Sequence, residues 1–418
     1  MDSLEIEGGV PLHGEIHVSG AKNAALPLLT AGLICDDSFT LTNVPDLADT
    51  RLMIALLRHH GLDISFANGH VRMTGPATNM DAPYELVSQM RASILVLGPL
   101  LARYGQARVS LPGGCAIGTR PVDLHIRAMQ KLGATVELAD GYIQARASKG
   151  LIGGKIVFPF VSVGATENTM MASVCASGTT QIVNAAREPE IIDLAECLNA
   201  MGARISGQGT DTMAIEGVTS LGTATHKVVA DRVEAGTFVM AAAMTGGRLS
   251  VRDIVPEHLD ALFDVMRNTG VNIDVGTDFV TVRAEDGYQA QDIETHPYPG
   301  FPTDLQAQFT AMMCLAEGTS QISETIFENR FMHVPELVRM GADISVDGRT
   351  ALIRGKKTLL SAPVMATDLR ASVSLVLAGL ATKGTTKVGN IYHLDRGYAG
   401  LEEKFGACGA RLRRLHEN

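Results

Sequence analysis

The hydrophobic and polar residues of this chain follow one pattern six times. A stretch with apolar residues at helical spacing ends in a glycine, and a short strand of alternating apolar and polar residues follows it. The glycines recur at intervals of 68 to 72 residues, at Gly61, Gly133, Gly202, Gly270, Gly341 and Gly409. A glycine in this place is typical of the left-handed residue that ends a helix. The near-constant interval predicts six copies of one structural unit.

Each copy also contains an earlier strand with a long apolar helix ahead of it. The strand is clearest in residues 178–184, 318–324 and 384–390, where Gly-Thr opens an alternating run. The apolar pattern predicts helices over residues 21–35, 91–102, 168–176, 234–244, 305–316 and 369–381. A unit is therefore predicted to run helix, strand, loop, second helix, glycine and strand, and to return through a hairpin turn of the Asn-Gly or Asp-Gly kind.

The phase of the repeat predicts how the α/β chain divides into domains. The last copy ends without its return strand, whereas the chain begins with two strand-like segments around Leu4 and Ile16. The two ends are therefore expected to complete one unit, and six units divide as three plus three. We predict one domain over residues 22–229 and a second formed by residues 1–21 and 230–418. Two chain crossings would join them, with the ligand site in the cleft between them.

Composition limits the classes of function. With 46% hydrophobic and 19% charged residues, the chain can build full hydrophobic cores. Its formal net charge of -10 argues against a nucleic-acid surface. The N-terminal residues lack the apolar run of a signal peptide, and no apolar run is long enough to span a bilayer. A cytoplasmic protein without membrane insertion is expected. Metal-binding and nucleotide-binding motifs do not occur, so neither a metal nor a cofactor is expected.

Charged residues concentrate at equivalent places in the repeats, which are the starts of the long helices and the loops after the first strands. They are Lys22, Arg91, Asp231, Arg232, Asp304, Asp368 and Arg370 at the helix starts, and Asp49, Arg120, Arg187, Arg330, Asp395 and Arg396 in the loops. Helix starts and basic side chains together make anion sites, so the pattern favours a small polyanionic substrate. Each residue alone could equally serve a surface ion pair, and Asp304 or Asp368 could be a helix cap. His125 is expected to be structural or to line a pocket.

One of the six cysteines has a distinct setting. Cys115 follows a strand-like run and a Pro-Gly-Gly turn, and Arg120 lies five residues later. A thiol in a polar loop beside a cation is the setting in which a cysteine becomes reactive. A chance cysteine in a turn is the alternative interpretation.

Several motifs together resemble a known family. They are residues 19–26, 90–93, 111–125, 184–190, 301–304, 327–333, 366–372 and 393–398, which include Leu-Pro-Gly-Gly-Cys-Ala-Ile-Gly-Thr-Arg over residues 111–120. Over essentially its whole length the chain resembles the UDP-N-acetylglucosamine enolpyruvyl transferases of the EPSP synthase superfamily, which act in bacterial peptidoglycan synthesis. The resemblance implies two inverse, inside-out α/β domains, each a threefold repeat.

The resemblance also implies a reaction. The enolpyruvyl group of phosphoenolpyruvate would pass to the 3-hydroxyl of UDP-N-acetylglucosamine through a tetrahedral ketal, with release of phosphate. Cys115 would give a proton to C3 of phosphoenolpyruvate and could also bond to it covalently. Asp304 would take the proton of the sugar hydroxyl. Lys22, Arg120 and Arg396 would surround the phosphate and carboxylate groups.

Further site residues follow from the same resemblance. Asp368, which is counted among the catalytic residues, would orient the base and the loop cysteine together with Arg370. Residues 112–121 would close over the substrate as a lid. The residues expected to contact substrates are Lys22, Asn23, Arg91, Arg120, Pro121, Val122, Asp123, Leu124, Ser162, Val163, Gly164, Asp304, Ile326, Arg330, Arg370 and Arg396. Ala48 and Phe160 stand where family members often have a basic and a polar or charged residue, respectively.

Two alternative functions are weighed against this one. The sister enzyme of the same architecture uses shikimate 3-phosphate, but it needs no cysteine like Cys115. A catalytically silent sensor of UDP-sugars would have no use for an acid–base pair such as Cys115 and Asp304. The sequence does not indicate an oligomeric state.

Overall fold

The computed structural model describes residues 2–112 and 122–416, and these form two units. The first unit consists of residues 20–112 and 122–229, and the second of residues 2–19 and 230–416. The chain enters the first unit after Ser19 and leaves it after Val229. Each unit has its own hydrophobic core.

Twelve strands form three four-stranded sheets in the first unit. They are Ser38–Thr42, Asp63–Ala67, His70–Thr74, Asp81–Ala82, Gln106–Ser110, Thr135–Ala139, Tyr142–Arg146, Lys155–Val157, Thr179–Val183, Arg204–Ser206, Thr212–Glu216 and Ala224–Lys227. Each sheet has the same order: an edge strand pairs in parallel with the first strand of the repeat, and the return hairpin pairs antiparallel with that strand. The repeated topology explains why one sequence pattern recurs, since each copy builds one sheet.

The second unit has three sheets of the same topology. Their strands are Ser3–Gly8, His13–His17, Arg248–Arg252, Asn272–Val275, Phe279–Arg283, Ile293–Glu294, Thr319–Ser323, Asp343–Asp347, Thr350–Arg354, Pro363–Met365, Gly384–Gly389 and Arg411–Leu415. Ser3–Gly8 lies antiparallel between Gly384–Gly389 and Arg411–Leu415, so the first and last strands of the chain share one sheet.

The helices of the first unit are Lys22–Ala31, Ala48–His59, Tyr84–Val87, the 3-10 helix Arg91–Val96, Leu97–Tyr104, Asp123–Lys131, Val163–Ser173 and Pro189–Ala200. Those of the second unit are Arg232–Met244, the 3-10 helices Pro256–Leu259 and Thr303–Leu305, Asp260–Asn268, Gln306–Met313, Val334–Arg339, Leu369–Ala381, Tyr392–Asp395 and Leu401–Ala407. The long helix of each repeat is apolar on nearly all sides and buried, and in each unit the long helices pack against one another. The sheets therefore lie outside the helices, and the predicted inside-out α/β fold is confirmed.

Several predicted helix bounds need correction; the helices predicted over residues 21–35 and 305–316 end earlier, at Ala31 and Met313. Residues 91–102 form a 3-10 helix followed by a separate α-helix from Leu97, because Pro99 lacks a backbone N–H and is best tolerated in a first turn. The helix predicted over residues 168–176 begins earlier, at Val163, because the side chain of Ser162 caps it. The helix predicted over residues 369–381 has those bounds.

The six glycines that end the second helices all have left-handed backbone conformations. Their φ angles lie between +86° and +108°, as predicted for the residue that follows a helix C-terminus. A side chain in this conformation would be strained, so the repeat requires glycine there.

Candidate active site

In the second unit, Asp304 lies between two guanidinium groups. Arg330 donates from Nη2 to Oδ1 at 2.7 Å, and Arg370 donates from Nη2 to Oδ2 at 2.9 Å. Both arginine side chains are buried, whereas about a quarter of the Asp304 side chain is exposed, at 26%. The sequence allowed Asp304 to be a helix cap, but its carboxylate pairs with the arginines instead. The exposed part of the Asp304 carboxylate is accessible to a ligand.

These ion pairs control the charge of Asp304. Burial would raise the pKa of its carboxyl group, but the positive charges of Arg370 and Arg330 outweigh burial and hold the pKa well below the ordinary value. The carboxylate is therefore ionised at neutral pH. With both oxygens occupied by guanidinium groups, it is a weak base in this state.

A buried polar network anchors Arg370. Its Nη1 donates to the hydroxyl of Tyr398 at 3.4 Å, and that hydroxyl shares a 2.9 Å hydrogen bond with Thr237. Gln308 donates to Thr237 Oγ1 and to the backbone carbonyl of Asp304. Arg330 is held less completely, since its Nη1 has no hydrogen-bond partner within the described part of the chain. An anionic ligand could bind this buried N–H group.

Glu324 is a site-building residue that the sequence did not single out. Its Oε1 accepts hydrogen bonds from the backbone N–H groups of Ile326 and Phe327, at 2.9 and 3.1 Å. Its Oε2 accepts from Thr303 Oγ1 at 2.8 Å. The buried carboxylate thus connects the residue before Asp304 to the backbone of Ile326.

A comparison of equivalent positions in the repeats distinguishes Glu324. Asn184 and Asn390 occupy the same place in other copies, with φ of +59° and +57°, and their amide groups bind the carbonyls of Phe158 and Ala366. Glu324 keeps a bond to the equivalent residue, since its Oε1 accepts from Thr295 Oγ1 at 3.0 Å, and its carboxylate adds contacts to Thr303 and to the backbone of Ile326 and Phe327. A departure from a structural repeat therefore marks a residue with another role.

The other predicted residues of the second unit occupy helix ends. Asp368 is the N-cap of Leu369–Ala381 and accepts from the N–H groups of Arg370 and Ala371. Arg396 follows directly after the short helix Tyr392–Asp395. Burial and Arg330 lower the pKa of nearby His333 to about 4, although Asp368 opposes the shift, so this imidazole is neutral at pH 7.

In the first unit, Lys22 and Asn23 begin the buried helix Lys22–Ala31. The ammonium group of Lys22 lies 3.5 Å from Oδ2 of Asp49, a residue of the second helix of the same repeat. Both side chains are largely buried, which restrains the cation at a helix N-terminus. Ala48, beside Asp49, is half-buried.

The segment from Ser162 to Gly164 forms another helix N-terminus. Ser162 accepts the N–H of Ala165, and the backbone N–H groups of the first turn point toward the helix start. Val122, Asp123 and Leu124 lie at the start of Asp123–Lys131, the helix that also carries His125. Arg91 begins a 3-10 helix. Phe160 is 57% exposed and lies just before the capped turn.

Three buried carboxyl groups, those of Glu167, Glu188 and Glu190, lie close together in this unit. Burial, with the charges of Glu190 and Glu188, raises the pKa of Glu167 to about 8. Glu167 is therefore largely protonated at pH 7. Glu188 and Glu190 lie in the family motif of residues 184–190, whereas Glu167 lies outside the family motifs and was not singled out from the sequence.

Cys115, Arg120 and Pro121 lie outside the described residues. The other five cysteines are free thiols, and burial raises the pKa of each one. Their thiols are therefore unreactive by comparison with a thiol in a polar loop. In residues 2–112 and 122–416, no cluster of three or more His, Cys, Asp or Glu side chains is arranged to hold a metal. No helix in the same residues has the length and apolar character needed to cross a membrane.

Comparison with known sequences gives matches over the whole chain. The family model described as EPSP synthase (3-phosphoshikimate 1-carboxyvinyltransferase) matches residues 6–405. A UDP-N-acetylglucosamine 1-carboxyvinyltransferase from Gluconacetobacter diazotrophicus is 56% identical over 420 residues and covers 100% of both chains. The enzyme of the same name from Acidiphilium cryptum is also 56% identical, over 418 residues, with the same coverage.

Solved structures give a consistent result. The enolpyruvyl transferase NikO from Streptomyces tendae superposes with a TM-score of 0.89 at 26% identity, and the match covers 99% of each chain. An EPSP synthase from Acinetobacter baumannii superposes with a TM-score of 0.76 over 100% of both chains. The latter is 18% identical, so it supports the fold alone.

Proposed function

The chain belongs to the EPSP synthase family of carboxyvinyltransferases, and from this premise we propose its reaction. It transfers the enolpyruvyl group of phosphoenolpyruvate to the 3-hydroxyl of UDP-N-acetylglucosamine and releases phosphate. This is the first committed step of peptidoglycan synthesis. The observation that carries the assignment is the 56% identity, over complete chains, with enzymes of that name. The loop cysteine Cys115, which the sister enzyme does not need, disfavours shikimate 3-phosphate as the acceptor.

The proposed chemistry begins with a proton. The Cys115 thiol protonates C3 of phosphoenolpyruvate, and C2 becomes electrophilic. The sugar 3-hydroxyl attacks C2 and loses its proton to Asp304, which forms the tetrahedral ketal. Loss of a proton from C3 and departure of phosphate from C2 then restore the double bond and give the enolpyruvyl ether. The thiol must be protonated to act as the acid, so the cations near Cys115 cannot ionise it fully when substrate is bound.

The ion pairs of Asp304 add a step to this scheme. A carboxylate whose pKa is held well below its ordinary value is a poor acceptor for a hydroxyl proton. The bound sugar therefore displaces one arginine from Asp304, and the loss of that charge raises the pKa of the carboxyl group. Arg330 is the arginine that leaves, because Tyr398 anchors Arg370. Its released guanidinium then contacts an anionic group of the substrate.

The remaining roles concern binding. Lys22, Arg120 and Arg396 stabilise the phosphate and carboxylate of phosphoenolpyruvate, where negative charge grows in the transition state. Asp368 orients Arg370 through the helix cap.

The nucleotide sugar uses the cationic and helix-terminal groups of the first unit. Ser162, Val163 and Gly164 offer helix N-terminal N–H groups. Asn23, Arg91, Arg120 and residues 121–124 supply further contacts, and Ile326, a residue of the second unit, supplies another. The capped turn at Ser162 supports this assignment by favouring anions.

We also propose that the protein works in the cytoplasm. The proposed acid, Cys115, can act only as a free thiol, and the five cysteines of the described residues are free. A reducing compartment keeps such thiols available.

Phosphate release tests the function directly. Native protein, Cys115→Ala and Cys175→Ala are each incubated with phosphoenolpyruvate and either UDP-N-acetylglucosamine or shikimate 3-phosphate. Release with the UDP-sugar alone is expected from native protein and Cys175→Ala, and it should be abolished or severely reduced in Cys115→Ala. Release with shikimate 3-phosphate would contradict the acceptor. Tight binding of the UDP-sugar without release by native protein would indicate a sensor.

A further inference from the structure

Asn168 connects three segments of the first unit through one buried side chain. The residue lies in the helix Val163–Ser173 and is fully buried. Its Oδ1 accepts the backbone N–H of Gly98 at 2.6 Å, and its Nδ2 donates to the carbonyl of Ile94 at 3.0 Å. The same Nδ2 lies 2.9 Å from Nδ1 of His125. Each of these segments also carries a residue that the proposed function places at the nucleotide sugar.

The two backbone contacts fix the orientation of the Asn168 amide. A backbone N–H can only donate, so the atom facing Gly98 is the oxygen, and a backbone carbonyl can only accept, so the atom facing Ile94 is the nitrogen. One hydrogen of this NH2 group is used by Ile94, and the other points to His125. Nδ1 of His125 must therefore accept, and the proton of the neutral ring resides on Nε2.

The protonated edge of the ring faces the start of the helix. A methyl group placed on Gly164 would lie 3.4 Å from Cε1 and 3.7 Å from Nε2 of His125. This edge therefore lies against the turn that Ser162 caps. The backbone N–H groups of that turn and Nε2–H of His125 form one set of donors.

His125 keeps this neutral form over the physiological pH range. Burial and the positive charge of Arg91 lower its pKa to about 4, while Asp123 on its own helix opposes the shift. Because the His125 ring is neutral, it does not repel the Arg91 guanidinium. The ring and Arg91 can therefore bind the same anion together.

We propose that Asn168 is a positioning residue, which locks His125 as the Nε2–H tautomer so that the ring donates to an acceptor oxygen of the nucleotide beside Ser162 and Gly164. This inference rests on the proposed function for the identity of the nucleotide, and on the hydrogen bonds alone for the tautomer. Gly98 supports the arrangement, because a side chain there would collide with the backbone oxygen of Asn168.

The tautomer is tested on the native protein. Protein labelled with 15N at histidine, with His125→Gln to assign the resonance, is expected to show unprotonated Nδ1 and protonated Nε2 from pH 6 to 8. An Nδ1–H form of His125 would overturn the proposal. This experiment does not depend on activity, so its failure is separate from a failure of the proposed function.

The effect on binding is tested with Asn168→Asp, which has nearly the same shape but cannot donate to Nδ1. We expect the KM for UDP-N-acetylglucosamine, and the Kd for UDP measured by calorimetry, to rise about tenfold, since one oriented donor is lost. The KM for phosphoenolpyruvate should change less than about twofold. Thr169→Val is the matched control, because this neighbouring buried hydroxyl has no partner within the described residues, and it should bind UDP normally.

A double-mutant cycle decides whether Asn168 acts through His125. In the His125→Gln background, Asn168→Asp should change the Kd for UDP by less than about twofold, because no ring tautomer is left to fix. If the loss of affinity for UDP in the double variant equals the sum of the losses in the two single variants, the proposal is overturned. If Asn168→Asp does not fold, as judged by circular dichroism, Asn168→Ser replaces it in the same cycle with the same expected outcomes.

Discussion

Arg370 and Asp304, which lie 66 residues apart in the sequence, form an ion pair with Nη2 of the guanidinium 2.9 Å from Oδ2 of the carboxylate. The pair is anchored from behind by the Tyr398 hydroxyl. It keeps the carboxylate ionised and at the same time weakens it as a base. The basicity of the Asp304 carboxylate is therefore set by the neighbouring guanidinium groups.

Arg370→Gln should change both the activity and its pH dependence. With this positive charge gone, the pKa of Asp304 rises toward its ordinary value, and the carboxylate loses one of its two oriented donors. We expect kcat/KM for the UDP-sugar to fall about 100-fold, the usual size for an oriented charge in an active site. The acidic limb of the pH profile should move to higher pH. Phosphate release measured over a range of pH checks both results.

Arg354→Gln is the control for this variant. Arg354 pairs with Asp343 at 3.3 Å, and both side chains are about half exposed, so the pair contributes at most about 1 kcal/mol. Its kinetics should match those of native protein. An unchanged pH profile in Arg370→Gln would contradict the assigned control of Asp304.

Glu324→Gln should disturb the loops that Glu324 connects. The substitution keeps the size of the side chain but removes the charge that accepts the N–H groups of Ile326 and Phe327. Hydrogen bonds to a charged group contribute about 1.5–3 kcal/mol, so we expect kcat/KM for the UDP-sugar to fall at least about tenfold. Steady-state kinetics check this, with the exposed Glu317→Gln as control. Native kinetics in Glu324→Gln would show that the loops hold without the charge.

Glu167→Gln should remove a pH dependence of stability. The pKa of Glu167 is about 8 in the folded protein and about 4.5 when unfolded, so the folded state holds an extra proton between these values. Stability therefore falls as the pH rises through this range, by up to about 1.4 kcal/mol per pH unit. The amide of Glu167→Gln does not titrate in this range, so this variant does not lose that stability as the pH rises. Thermal unfolding from pH 5 to 9 should show a smaller decrease for Glu167→Gln than for native protein.

The exposed Glu196→Gln, on the helix Pro189–Ala200, is the control and should follow the native curve. Parallel curves for native protein and Glu167→Gln would mean that Glu167 does not retain its proton. Titrations of other groups are common to all three proteins and cancel in the comparison.

Two glycines three residues apart should respond oppositely to alanine. Gly409 has φ of +94° and ends the helix that contains Gly406, and a methyl group would meet no atom within 4 Å at either position. Gly409→Ala should destabilise the protein by about 1–2 kcal/mol through backbone strain alone. Gly406→Ala should stabilise it by up to about 1 kcal/mol. Denaturant unfolding measures both, and a neutral Gly409→Ala would contradict the strain.

The repeat could be predicted from the sequence because it is local. A helix, its terminal glycine and the next strand are adjacent in the chain, and a periodic pattern of apolar residues specifies each one. The predicted helix over residues 91–102 failed where Pro99 imposed a new helix start, which periodicity does not detect.

The candidate site was predicted only as a set of residues. Lys22, Asp304 and Arg370 were singled out from their places at helix starts and from family motifs. Glu324 and Asn168 were not, because each is an ordinary polar residue whose role depends on what it contacts in three dimensions. Asp368 could be predicted as a cap because capping is a local interaction.

The sequence by itself determined six units, their order and the glycine that ends each second helix, since these depend on neighbouring residues and on backbone sterics. Only the tertiary structure decided that Asp304 meets Arg330 and Arg370, from 26 and 66 residues away, and that Asn168 meets His125. Ion pairs and hydrogen bonds form over about 3 Å and depend on direction. The packing of distant helices and loops therefore selects each partner, and no pattern along the chain encodes that choice alone.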